Sequence, residues 1–333
     1  MFAPGKGIKK TAVILAFLCF SFVIACVISD AVFSMRDVSN NWHDLNTQFD
    51  PRIGWSPVPN RHIQNEWGNV SSNSYGFRSE EIDQNKKQVI VLGDSVAWGY
   101  GVDDKETMPY HLGRLLQPFD YQVDNLGVSG YDIGQYFMFL KSHLGKFKNL
   151  KYVVLVLCGE NDFEDTITNE VYGKRKPLYR VKGKELILIN SPISRFDLRN
   201  LFSTSRTIQK LTYRYAKIGG FLDSLTGNKV LDREEGEKVV SALLRKIYYL
   251  LSENNIRLIV LVSPNMDDFR EKSRDLIWFD NFFQTERNYY ARVDYYETLR
   301  SRPGDLERVY TDDLHYSNYG NKLLAETIAG YIK

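Results

Sequence analysis

Four short runs hold residue types that cooperate in nucleophilic chemistry. Gly93-Asp94-Ser95 closes an apolar stretch. A serine at such a strand-to-helix turn is exposed, and the N–H groups of the helix behind it face a developing oxyanion. Asn125 to Asp132 reads N-L-G-V-S-G-Y-D and includes Gly130, which lets a ligand approach its backbone N–H closely. Cys158 to Asp162 reads C-G-E-N-D, and the amide of Asn161 can donate to the same oxyanion. Asp312 stands three residues before His315 in D-D-L-H. In a tight turn that spacing lets the carboxylate hold one imidazole nitrogen while the other faces a nucleophile. Asp313 is a second carboxylate beside it. Singly, these runs are more often a turn, a cap or a surface feature. Together, in this order, they describe a Ser-His-Asp relay.

Other chemistry is not supported. The residue two beyond Ser95 is Ala97, so the G-x-S-x-G elbow is not matched. There is no G-x-G-x-x-G and no Walker A run, hence no sign of a nucleotide cofactor. His43, His62, His111 and His143 have no carboxylate at relay spacing, and surface or helix-face roles are expected for them. Asp94 is expected to fix its turn by hydrogen bonding. Trp98 and Tyr100 are expected to pack the first helix or line the pocket.

The elements that position these runs alternate. Gln88 to Leu92, Tyr121 to Leu126, Tyr152 to Cys158 and Arg257 to Val262 are short apolar runs, as expected of parallel strands covered on both faces. Helices are predicted over Thr107 to Gln117, Gly134 to Leu144, Glu235 to Asn254 and Asn318 to Ile332. That order implies a doubly wound α/β sheet, with the site beyond the carboxyl ends of the strands. Residues 30–86 read as a turn-rich lead-in, and 87–333 as the main domain. Two insertions, about 163–234 and 267–299, are expected to cover the sheet or shape the site. The first contains KRKPLYRVKGKELILINSP, which suggests a hairpin.

The chain of 333 residues is 43% hydrophobic and 25% charged, enough to bury a sizeable core. A net charge of +2, without a basic stripe, gives no reason to expect nucleic acid. Its three cysteines follow neither a disulfide nor a metal-ligand pattern, so no metal is expected. Thr11 to Ser29 is 19 residues without a charge. As a helix it reaches roughly 30 Å, about one bilayer core. Lys6, Lys9 and Lys10 precede it, so residues 1–10 are expected to stay cytoplasmic and 11–29 to act as an uncleaved signal anchor. The catalytic part then faces the non-cytoplasmic side. Val23-Ile24-Ala25-Cys26 offers a second reading, a lipoprotein box anchored through Cys26.

The four runs, with N-x-G-x-x-G at Asn125 to Gly130, resemble the ordered blocks of the SGNH/GDSL hydrolases over about Lys87 to Lys333. The lead-in runs IGWSPVPN and NSYGFRSEE also resemble the segment before the serine block in exported members. The resemblance implies a flavodoxin-like three-layer α/β/α fold and acyl hydrolysis or transfer. It implies Ser95 as nucleophile and first oxyanion donor, Gly130 and Asn161 as further donors, His315 as base and Asp312 as its orienter. An esterase acting on acyl esters, including O-acetyl groups on glycans, is the first expectation. An O-acyltransferase modifying an exported polysaccharide and a non-catalytic binding protein are the alternatives. The sequence does not define an oligomeric state.

Overall fold

The computed structural model describes residues 46–172, 174–193, 230–302, 304 and 306–332, with 14, 17–22 and 24–25 nearer the N-terminus. The chain divides into two units. One comprises Met1–Trp42 and Ser194–Asn228, and its described residues are helical and exposed. Most of the expected anchor, Cys26 included, and most of the first expected insertion lie outside the described residues. No helix of the described residues is long and apolar enough to cross a membrane.

The other unit, His43–Ile193 with Lys229–Lys333, is built on a five-stranded sheet. Its strands are β1 Lys87–Gly93, β2 Tyr121–Asn125, β3 Leu150–Cys158, β4 Arg257–Ser263 and β5 Ala291–Val293. All four pairings are parallel, and the spatial order is β5-β4-β3-β1-β2. Read from its other edge this is 2-1-3-4-5, the flavodoxin-like doubly wound order.

The apolar runs are continuous because successive side chains enter opposite layers. Ile90, Leu92, Val153, Leu155 and Leu157 point into one core, and Val89, Val91, Val154, Val156 and Cys158 into the other. On the first face lie α3 Ile133–His143, α5 Arg233–Ser252 and α6 Arg274–Thr285. On the second lie α1 Ser95–Trp98, α2 Met108–Leu116, α7 Tyr295–Arg300, α8 Leu306–Val309 and the closing α9 Asn318–Ala329. In α5 the buried Val239, Val240, Leu243, Leu244, Ile247 and Leu251 recur at helical spacing. Caps set the starts: Thr107 for α2, Asp132 for α3 and Ser317 for α9 each accept a backbone N–H.

Two regions differ from expectation. The 267–299 stretch is part of the sheet layer: α6 packs Phe279 and Phe283 on one face, and β5 extends the edge. The lead-in folds into two hairpins, Thr47–Asp50 with Gly54–Pro57 and His62–Asn65 with Gly68–Ser71. Ile53, Trp55 and Phe77 from it join the first core. Its turn residues close short antiparallel pairs whose apolar members find the main core. The expected hairpin is Tyr179–Lys182 with Glu185–Leu188.

Candidate active site

The site is built where the strand order reverses, beyond the carboxyl ends of β1 and β3. Ser95 opens α1 directly after β1. Gly93 permits the turn, since a Cβ there would stand 2.5 Å from the Val156 carbonyl oxygen. Asp94 caps α1 by accepting from the Val96 N–H at 2.9 Å, with Ser95 Oγ at 3.4 Å from its other oxygen. Burial raises the Asp94 carboxyl above its usual range. Its part is the turn, as the sequence suggests.

His315 reaches this serine from a loop before α9, with Nε2 2.9 Å from Ser95 Oγ. Its Nδ1 lies 2.8 Å from Asp312 Oδ2. An ionised carboxylate only accepts, so Nδ1 carries the hydrogen and Nε2 is free to accept from Ser95. The other Asp312 oxygen accepts from the Leu314 N–H at 2.8 Å and the His315 N–H at 2.6 Å. Burial works against ionisation of Asp312, but the bonds from His315 and Leu314 outweigh it and lower the carboxyl to about 2. Asp313 uses its backbone carbonyl to hold the Met266 N–H.

Contacts not evident in the sequence steady this loop. The Thr311 N–H donates to the His315 carbonyl at 2.8 Å. Tyr310 donates to the Pro264 carbonyl at 2.8 Å, and the Tyr316 and Ser263 hydroxyls are 2.7 Å apart. The loop is thereby fastened to the end of β4. The Tyr100 ring lies 4.5 Å from the His315 ring, and Trp67 lies 4.8 Å from Tyr100. Tyr100 lines the site, whereas Trp98 is buried.

Gly130 follows β2 with φ +76, a left-handed conformation that favours glycine. Asn161 follows β3 at the start of α4 Asp162–Thr166. The Tyr172 ring lies beside Gly130, 3.2 Å from where a Cβ would stand. Ser95, His315 and Asp312 thus form one hydrogen-bonded chain. Other histidines bind elsewhere, His62 to Ser71, His111 to Asn318 and His143 to the Phe139 carbonyl. His43 is outside the described residues. Among the described residues no group of three His, Cys, Asp or Glu side chains could hold a metal ion.

Arg78 is the residue sequence reasoning missed. It is 7% exposed and donates to the carbonyls of Trp98, Gly99 and Val102 at 3.2, 2.6 and 2.7 Å. It also reaches Asp104 at 2.8 Å. It therefore satisfies the end of α1, the helix that carries Ser95. Its only sequence signal is a lone arginine in the lead-in run NSYGFRSEE. Arg78→Met should orphan these carbonyls and cost about 3 kcal/mol. For a domain of this size that lowers Tm by roughly 6–12 °C. A calorimetric Tm within about 2 °C of the parent would remove Arg78 from this role.

No family model matches the sequence, and no curated protein matches it. Solved structures do. A lipolytic protein of the G-D-S-L family from Veillonella parvula is 14% identical, covering 73% of this chain and 97% of its own, with a TM-score of 0.44. The psychrotrophic esterase EstA from a Pseudoalteromonas species is 12% identical, covering 74% and 96%, with a TM-score of 0.41. The acetylxylan esterase Axe2 from Geobacillus stearothermophilus is 12% identical, covering 74% and 94%, with a TM-score of 0.40.

Proposed function

We propose that this chain is a serine esterase of the SGNH/GDSL type that cleaves acyl esters, O-acetyl esters included. One observation carries the reading: the unbroken hydrogen-bonded chain from Asp312 through His315 to Ser95. His315 Nε2 takes the Ser95 proton as Oγ attacks the ester carbonyl. The tetrahedral oxyanion is held by the N–H groups of Ser95 and Gly130 and the amide of Asn161. His315 then returns the proton to the leaving alkoxide, and the alcohol departs. Water attacks the acyl-Ser95 ester with His315 again as base, releasing the acid and restoring the serine. Asp312 stays ionised and stabilises the imidazolium.

Residues 11–29 form the anchor in this reading, with the catalytic domain on the non-cytoplasmic side. The support is the uncharged run behind Lys6, Lys9 and Lys10. One experiment addresses chemistry and location together. A membrane-impermeant fluorophosphonate is applied to intact cells expressing the full chain, and the adduct is mapped by peptide mass spectrometry. Label on Ser95, pelleting with membranes, is expected. Label appearing only after lysis would overturn the location. No adduct even in lysate would overturn the nucleophile.

A further inference from the structure

The turns that carry Gly130 and Asn161 are joined through one buried hydroxyl. Tyr136 stands in the first turn of α3, behind the cap Asp132. Its hydroxyl oxygen lies 3.0 Å from the Tyr131 carbonyl oxygen and 2.8 Å from Asp162 Oδ1. Tyr131 directly follows Gly130 in the chain, and Asp162 directly follows Asn161. The other Asp162 oxygen accepts the Cys158 N–H at 2.9 Å, which closes the turn from β3 into α4 around Asn161. Tyr131, Tyr136 and Asp162 are fully buried, so bulk water does not compete for these bonds.

The reaction above uses none of these three side chains. Burying a phenol and a carboxyl is costly unless both are hydrogen-bonded, and phenylalanine would fill the Tyr136 site without that cost. The hydrogens can be counted. A carbonyl only accepts, and one hydroxyl has one hydrogen to give, so both Tyr136 contacts are filled when Asp162 is neutral and donates to the phenol oxygen. Burial, and then the Asp94 carboxyl, push Asp162 well above the usual carboxylate range. A second tie joins the same segments. The Thr166 hydroxyl donates to the Asp162 carbonyl at 2.6 Å and accepts the Ile133 N–H at 3.2 Å. Losing the Tyr136 hydroxyl therefore leaves α3 and α4 joined.

Resting on the esterase reading above, we propose that Tyr136, through Asp162, is a positioning residue for the oxyanion site: its hydroxyl ties the Gly130 turn to the Asn161 turn, so the backbone N–H of one and the amide of the other keep a fixed register. Donors of this kind stabilise charge only if they are in place as it develops. A neutral ester in the ground state depends less on that register, so a looser tie falls on kcat more than on KM.

The test uses the full chain and nitrophenyl acetate. It compares the parent, Tyr136→Phe, Asp162→Asn, Asn161→Ala and the double variant of Tyr136→Phe with Asn161→Ala, with melting curves to confirm folding. Tyr136→Phe should lower kcat about 10–100-fold, with KM within about threefold. Asp162→Asn can still accept from Cys158 and donate to Tyr136, so its kcat should stay within about threefold of the parent. With Asn161→Ala one of the two donors is already gone, so Tyr136→Phe should cost markedly less there than in the parent. A folded Tyr136→Phe within about twofold of the parent kcat, or losses that multiply in the double variant, would overturn the positioning role and leave the esterase standing. An Asp162→Asn as slow as Tyr136→Phe would overturn it too. A parent that neither turns over the ester nor takes a phosphonate at Ser95 would overturn the esterase and this role with it.

Discussion

Asp312→Asn should lower kcat about 10⁴-fold while leaving the fold intact. One Asp312 oxygen is held by the Leu314 and His315 N–H groups, and the amide oxygen of Asn takes over both bonds. The NH₂ group then faces His315 Nδ1, where the carboxylate oxygen stood at 2.8 Å. Two donors cannot face each other, so Nδ1 gives up its hydrogen and Nε2 carries one instead. Nε2–H now points at Ser95 and cannot accept its proton. The loss is one of tautomer, not of position, so KM should change much less than kcat. A variant within about tenfold of the parent kcat would show that Asp312 does not set the imidazole.

The same pair has a stability signature of opposite reach. Folded Asp312 titrates near about 2, below the roughly 3.9 of an unfolded aspartate. A depressed carboxyl contributes stability that is present above about pH 4 and is lost as pH falls toward 2. The stability difference between parent and Asp312→Asn should therefore narrow from about pH 5 to pH 2. The side chain is 49% exposed, so solvent screens the contact and the narrowing is small beside the kinetic loss.

The site was legible in the sequence where chemistry and strand ends coincide. Ser95, Gly130 and Asn161 lie within a few residues of predicted strand ends, and Asp312 and His315 lie within one turn of each other, so short-range patterns single them out as candidates. Arg78 was not legible, because its partners are the backbone carbonyls of Trp98, Gly99 and Val102, and no side-chain pattern marks a carbonyl. In the sheet, β1, β3 and β4 are legible as apolar runs buried on both faces, whereas β2 is only partly buried over its first three residues. β5 is not legible, since Ala291–Val293 is three residues long with an arginine in the middle. The lead-in hairpins were equally silent, as four-residue strands carry too little alternation to read.

Ser95→Ala should be the most damaging single change to rate, lowering kcat on the order of 10⁶-fold. In the proposed mechanism it removes the only atom that becomes covalently bonded to the acyl group, so no part of the double displacement survives. What that mechanism leaves is water attack at an oxyanion site lined by the N–H of residue 95, Gly130 and Asn161, so residual catalysis of about 10³–10⁴ over solution is expected. Folding should be nearly untouched. Ser95 is buried in α1, where alanine is the best helix former, and the cap from Asp94 to the Val96 N–H does not involve its side chain. Combining Ser95→Ala with Asp312→Asn should cost hardly more than Ser95→Ala alone, because a base without a nucleophile has nothing to activate. Steady-state rates of the two single variants and the double, on one nitrophenyl ester, decide this. Losses that multiply would mean that Ser95 and Asp312 act in separate steps, and the relay through His315 would have to be abandoned.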